Sequence, residues 1–379
     1  MTRNSLLIDA FGWKYRHLVR PLLFLCDSES IHTRLVRFGE QLGRVPAVRT
    51  LGKKWSVVDP MLSQTLHGVT FANPLGLAAG FDYEAKLPHV LPVIGFGFGT
   101  VGTITNWPYE GNQRPRLGRL VHSRSLAVNK GFKNEGIDAL IAKHRYSHFR
   151  IPIGLSIGKT NQKEMTQAES VADIVAAFTK AEAAELPFAY YELNISCPNL
   201  HGNVDFYTPE RLRELLQAVT ALHVRKPVFI KMPISKTNQE ITALLDVVVT
   251  FPIAGVVFGN LQQRRDLSCV IQGEQKKYPR GGLSGKATWD RSNELIALAY
   301  REYGKRLTII GCGGVFSAED AYTKIKLGAS LVQLITGLVF EGPQLPLQIN
   351  CALPALLARD GFKHISEAVG VDASKVHPS

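Results

Sequence analysis

After about Val58 the chain settles into one rhythm: a short apolar run, then a longer stretch with apolar residues at helical spacing. Runs at 74–79, 97–103, 152–157, 190–195, 228–232, 255–259, 307–312 and 331–335 read as buried strands. Helices fit 134–144, 168–184, 209–223, 239–250, 287–303 and 317–327. Short buried strands alternating with helices specify a parallel sheet. Eight of them over this length close into a (β/α)8 TIM barrel rather than an open sheet. Such barrels routinely exceed the average domain size, so most of the 379 residues belong to one unit. The stretch from 262 to 280 is polar and basic and reads as a long loop or lid.

The N-terminal part follows a different pattern and reads as a small helical extension. From Trp13 to about Arg44 large apolar residues (Leu18, Leu22, Leu23, Phe24) stand among basic ones (Lys14, Arg16, His17, Arg20). Pro21 is expected to bend this stretch, because proline lacks an N–H and clashes with the preceding turn. Asp27-Ser28-Glu29-Ser30 supplies capping chemistry for a second helix, with Ile31, Leu35, Phe38 and Leu42 at helical spacing. Two short amphipathic helices with basic polar faces suit the interfacial plane of a membrane. They suit an ordinary helical cap on the barrel equally well. The expected division is a helical segment at 1–50 and a barrel at 51–379.

Composition excludes several classes. With 45% hydrophobic and 20% charged residues the chain is globular. Its net charge of +12 is compatible with an anionic ligand or an anionic surface. It lacks the Lys/Arg runs with interleaved aromatics that mark nucleic-acid binding. Cys26, Cys197, Cys269, Cys312 and Cys351 lie far apart without a C-x-x-C pair, so reduced thiols are expected and no metal site. No apolar run approaches the roughly 20 residues of a membrane span.

Barrel enzymes place their chemistry at the C-terminal ends of the strands. Those ends read Ala78-Ala79-Gly80, Gly102-Thr103, Ser156, Asn194 with Cys197, Lys231, Asn260, Gly313-Gly314 and Thr336-Gly337. Glycine turns after strands seven and eight let backbone N–H groups approach a phosphate closely, and Gly281-Gly282-Leu283-Ser284-Gly285 offers a further loop of this kind. Lys231, ending an apolar strand, could stabilise negative charge on a reduced flavin or could be a plain surface lysine. Cys197 could act as a general base or could be a small buried hydrophobe.

Taken together, these motifs resemble the dihydroorotate dehydrogenase family over nearly the whole chain. Asn73-Pro74-Leu75-Gly76-Leu77-Ala78-Ala79-Gly80-Phe81-Asp82 is similar to its first flavin-binding strand, and Asn194-Ile195-Ser196-Cys197-Pro198-Asn199 to its catalytic loop. Gly281–Gly285, Gly311-Cys312-Gly313-Gly314 and Gly328-Ala329-Ser330-Leu331-Val332-Gln333 resemble its later flavin loops. Asp27-Ser28-Glu29-Ser30-Ile31-His32 and Arg114-Pro115-Arg116-Leu117-Gly118-Arg119 resemble the quinone-linked, membrane-associated class.

The resemblance implies an FMN oxidoreductase of pyrimidine biosynthesis that oxidises dihydroorotate and passes the electrons to a quinone. It implies that Cys197 is the base and that Lys231 meets the flavin. FMN would be held by Ala79, Gly80, Thr103, Ser156, Asn194, Lys231, Gly259, Gly285, Gly313, Gly314, Ile335 and Thr336. Tyr83, Lys130, Gly131, Phe132, Asn194, Asn199, Asn260 and Leu261 would surround the substrate, and His32 and Arg119 would line a quinone tunnel. A monomer at the cytoplasmic face of a membrane is expected.

The chain departs from the family in the pocket. Cys197 stands where the quinone-linked class carries serine. Tyr83 replaces the lysine that meets the substrate carboxylate, Val128 replaces an amide, Leu261 replaces threonine, and Ser156 stands for an expected amide. Lys130 is a new cation. Either Lys130 takes over the carboxylate, or the substrate is a different, more apolar ring or enone. A catalytically silent flavin-binding or membrane-associated protein is the third reading.

Overall fold

The computed structural model describes residues 3–48, 50, 59–202 and 204–376. Its centre is a closed barrel of eight parallel strands. In chain order these are β3 (Leu75–Leu77), β4 (Phe98–Ile104), β7 (Ile153–Ile157), β8 (Tyr190–Asn194), β9 (Val228–Lys231), β10 (Gly255–Phe258), β12 (Thr308–Cys312) and β13 (Leu331–Leu334). Each pairs with its neighbour in this order, and β13 returns to β3 to close the ring. The expected barrel strands and helices are all present, with the ends of the barrel helices within three residues of their sequence positions. Capping boxes at Thr166/Glu169 and Thr237/Glu240 start two of these helices, satisfying backbone N–H groups that would otherwise lack partners.

The barrel floor is aromatic. Phe98, Tyr190 and Phe229 point inward from β4, β8 and β9, and Phe71 packs beneath them. Phe71 comes from a hairpin of β1 (Gln64–Leu66) and β2 (Val69–Phe71). These rings fit because the facing inward positions are glycine: a Cβ on Gly154 would lie 2.1 Å from the Tyr190 ring, and one on Gly76 2.3 Å from Phe98. Above the floor the interior turns polar. Gln333 donates to Thr100 at 2.8 Å, and Thr100 shares a 2.8 Å bond with the Tyr190 hydroxyl.

Three features add to or depart from the sequence expectations. The glycine segment at 281–285 is mainly a strand, β11 (Gly282–Gly285), which extends a sheet of β5 (Leu117–Leu120) and β6 (Ser125–Val128). The 262–280 stretch is the expected long loop, with one helical turn at Gln272–Gln275, and it is pinned. Glu274 accepts bonds from the backbone N–H groups of His122 and Ser123 and from the Ser123 hydroxyl, and Val270 is buried against Leu120 and Leu283. Helices Thr336–Glu341 and Leu345–Arg359 follow the last barrel strand.

The N-terminal segment is a helical cap across the barrel mouth. Helix α1 (Arg3–Lys14) begins before the expected Trp13 and runs through a π turn at Tyr15–Val19 into α2 (Arg20–Phe24). Pro21 sits at the start of α2, where its missing N–H costs little next to the wider turn. Asp27 caps α3 (Ser28–Arg44) by accepting from the Ser30 N–H at 2.8 Å. Tyr15 and Arg20 donate to the Val339 and Phe340 carbonyls, both at 2.9 Å, which ties the cap to the barrel. Its outer side carries Leu22, Leu25 and Phe38, 68%, 84% and 61% exposed. The expected boundary near residue 51 adjoins 51–58, which lie outside the described residues.

Candidate active site

A cavity of about 740 Å³ runs from the C-terminal ends of the barrel strands to the underside of the cap. The strand ends contribute Ala79, Gly80, Thr103, Asn194, Lys231, Gly259, Ile335 and Thr336, and the loops beyond them Gly285, Gly313 and Gly314. Cys197, Tyr83, Lys130, Gly131, Phe132, Asn199, Asn260 and Leu261 line the same space, and His32 and Arg119 line its outer, apolar end. One of the sequence candidates is not in this lining. Ser156 is fully buried, and its hydroxyl lies 2.9 Å from Thr103 and donates to Glu192 at 2.8 Å. A serine on β7 is too short to reach past Thr103 and Asn194, so it supports the wall from behind.

That support includes a residue the sequence reading missed. Asn194 donates to Thr103 at 2.8 Å, Thr103 meets Ser156, and Ser156 meets the buried Glu192, whose Oε1 lies 3.8 Å from the Lys231 ammonium. The Tyr190, Glu192, Asn194 alternation along β8 carries the signal, since residues two apart share a strand face. Inside the barrel Glu192 supplies the carboxylate nearest Lys231. The ammonium is nearly buried at the cavity edge.

The glycines expected near a phosphate are structurally required. Gly313 and Gly314 have φ of 107° and 74°, and a Cβ on Gly313 would lie 2.4 Å from the Thr288 hydroxyl. On Gly285, with φ 81°, a Cβ would lie 2.5 Å from the Arg124 carbonyl. The Ser284 and Thr336 hydroxyls stand 2.8 Å apart between these loops. This close, hydroxyl-bearing backbone cradle fits the phosphate of a flavin nucleotide.

The loop at 194–199 is braced by amides. Asn260 donates to the Ser196 hydroxyl at 2.5 Å, Ser196 donates to Asn194 at 2.9 Å, and Asn199 donates to the Val128 carbonyl at 2.9 Å. Asn112 and Asn161, both buried and not singled out from sequence, hold the loops behind. Asn112 donates to the Asn199 carbonyl at 2.9 Å and Asn161 to the Gly131 carbonyl at 3.1 Å. Burial pushes the Cys197 thiol up to about 11, against the opposing effects of a backbone bond from Asn199 and the Lys231 charge.

Lys130 is 7% exposed and donates to the Tyr83 hydroxyl. Burial lowers its ammonium to about 8, with the Glu29 carboxylate opposing. Glu29 itself is held by Arg116 at 2.9 Å, which ties α3 to the residue just before β5. His32 Nε2 lies 2.8 Å from the Phe81 carbonyl. A carbonyl only accepts, so Nε2 carries the proton. Burial and the nearby Lys130 charge lower His32 to about 3, leaving a neutral ring with Nδ1 as acceptor. Arg119 donates to the Cys26 carbonyl at 2.8 Å and lies 4.7 Å from the Phe24 ring centroid.

Comparison with known proteins agrees with this geometry. The family model "Dihydroorotate dehydrogenase" matches residues 61–357. A protein of Natronomonas pharaonis named "Dihydroorotate dehydrogenase (quinone)" is 35% identical over 94% of this chain and 98% of its own length. One of the same name from Synechocystis is 36% identical over 91% and 93%. The solved structure of DHODH from Eimeria tenella in complex with ferulenol superposes with a TM-score of 0.81 at 26% identity, covering 91% of this chain and 96% of that one. The chain belongs to the dihydroorotate dehydrogenase family, in its quinone-linked class.

Proposed function

We propose that the protein oxidises dihydroorotate to orotate with FMN and passes the electrons to a quinone. The observation that carries this reading is one continuous cavity. It holds Cys197, Lys231 and the glycine cradle at the barrel mouth, and it ends under the cap at His32 and Arg119. Bound FMN would supply the two-electron acceptor for the hydride at C6 of the substrate. Cys197 takes the C5 proton as thiolate, Lys231 balances negative charge at the flavin ring, and Asn194, Asn199 and Asn260 hold and orient the catalytic loop and the substrate ring. Lys130 takes the substrate carboxylate in place of the lost lysine, its ammonium buried and free of a carboxylate within ion-pair distance among the described residues. A buried cation at this point favours an anionic substrate over a more apolar one.

The cap, residues 1–50, would dock by its exposed leucines and Phe38 on the cytoplasmic face of a membrane and admit the quinone, while 51–379 hold FMN. No helix among the described residues is long and apolar enough to cross a membrane. The test is spectroscopic. Anaerobic dihydroorotate should bleach the flavin of the purified protein, and a short-chain quinone should restore the colour. Absence of bleaching at millimolar dihydroorotate would remove the substrate assignment.

A further inference from the structure

A second, smaller cavity of about 190 Å³ lies on the outer side of Lys130. It is polar where the main cavity is apolar, with Glu29, Glu84, Lys86, Lys133 and Glu135 around it and Thr33 on its α3 side. The two cavities share one wall: His32, Phe81, Tyr83, Lys130 and Lys133 line both. At the centre of that wall the Lys130 ammonium donates to the Tyr83 hydroxyl and lies 4.6 Å from the centroid of the same ring. The Tyr83 ring in turn lies 5.6 Å from that of His32.

A quinone takes up two electrons and two protons to become a quinol. One proton arrives with the electrons from the reduced flavin, and the other must come from the protein. His32 cannot give it, because its only N–H is committed to the Phe81 carbonyl. Arg119 is a hydrogen-bond donor that stays protonated. The geometry points to the Tyr83–Lys130 pair as a proton gate: the Tyr83 hydroxyl gives its proton to the quinone oxygen, Lys130 replaces it, and water in the polar chamber reprotonates Lys130. This inference rests on the quinone reaction proposed above.

The groups around Lys130 favour such a role. Glu29 on α3 attracts its proton, whereas Lys133 on its own loop and Arg116 on the strand side repel it, and burial outweighs them all. The resulting value of about 8 makes Lys130 a usable acid near neutrality. Tyr83 is held far above its usual value by burial, so it passes a proton in step with receiving one. The order of events fits too. A bound carboxylate raises the Lys130 affinity for its proton, and departure of the product lowers it just before the quinone is reduced.

The experiment uses the holoenzyme and three variants. Thr33→Phe places a ring at the chamber side of α3 and leaves both substrate sites untouched. Thr33→Ser is its control, and Tyr83→Phe removes only the hydroxyl. Stopped-flow reoxidation by a soluble quinone is followed with a pH-indicator dye. Exchange of the Lys130 ammonium with water is read by NMR of lysine-labelled holoenzyme, with Lys130→Met for assignment. The expected result is slower Lys130 exchange, proton uptake and reoxidation in Thr33→Phe, with reduction by dihydroorotate unchanged and Thr33→Ser like wild type. Tyr83→Phe should slow reoxidation by roughly 10²-fold, the low end for loss of an acid–base group. Wild-type reoxidation and proton uptake in both Thr33→Phe and Tyr83→Phe, in an enzyme that otherwise turns over, would overturn the gate alone. A wild-type flavin that no quinone reoxidises would overturn the gate and the quinone reaction together.

Discussion

Lys130 and Tyr83 form a single unit: the ammonium donates to the phenol and rests 4.6 Å from the centroid of its ring. In the family pattern a lysine occupies the Tyr83 position, so here the cation stands beside that position instead of on it. Tyrosine supplies an oxygen acceptor and a negative ring face in its place, both favourable to a buried ammonium.

The first prediction follows from that displaced charge. Lys130→Met should raise the dissociation constant of dihydroorotate by roughly 10- to 100-fold, the worth of about 1.5–3 kcal/mol for a hydrogen bond to a charged group. Because burial lowers Lys130 to about 8 in the free enzyme, the charged form dominates below that pH. Wild-type affinity should therefore weaken as pH rises through about 8, and the Lys130→Met affinity should show no such step. Anaerobic titration of flavin bleaching across this range measures both.

Cys197 carries the second. Buried to a value of about 11, the thiol is mostly protonated at neutrality, and only the thiolate can take the substrate proton. The rate of flavin reduction should climb with pH across the range 6 to 10 without reaching a plateau. Cys197→Ala should retain FMN but lose roughly 10²–10⁴-fold in this step. Cys197→Ser should keep more activity than alanine, with its profile displaced further to alkaline pH.

Much of this site was legible in the residues, and the reasons are physical. Strands of a closed parallel barrel are buried on both faces and announce themselves as short apolar runs, so the strand ends and the glycine turns beyond them could be placed. Sheet β5–β6–β11 could not, because Gly282–Gly285 pairs with a strand more than 150 residues away and has no local signature. Ser156 was placed at the cavity by its strand position, but its side-chain length puts it behind Thr103. Glu192 lay hidden in an apolar run, where period two alone would have turned it inward beside Lys231.

The cap makes a third prediction. Leu22 and Leu25 are the most exposed large apolar side chains of α1–α3 and the loop between α2 and α3. If the cap docks on a membrane, changing both to glutamate should abolish sedimentation with anionic vesicles. Each leucine contributes about 1.5–3 kcal/mol when fully buried, and a charge there also meets repulsion from the lipid. Flavin reduction by dihydroorotate should be unchanged, since neither side chain approaches Cys197 or Lys130. Vesicle binding equal to wild type would remove the docking face.

The last prediction concerns the ion pair inside the barrel. Glu192 is fully buried, its Oε1 receives the Ser156 hydroxyl at 2.8 Å, and the Lys231 ammonium stands 3.8 Å away. Glu192→Gln keeps the shape but leaves Lys231 as a buried charge without its counter-ion. Breaking a buried pair in this way costs about 3–5 kcal/mol, so the apoprotein should melt several degrees lower. Bound FMN should recover part of that loss, because carbonyl oxygens of the flavin ring would offer Lys231 acceptors in place of the missing carboxylate. The oxidised ring is neutral and the reduced one anionic, so the variant should favour reduction and its flavin potential should rise. Differential scanning calorimetry of apoprotein and holoprotein gives the first effect, and a dye-coupled redox titration the second. A variant with lowered stability and an unmoved potential would show that Glu192 serves only the fold and does not set the charge at Lys231.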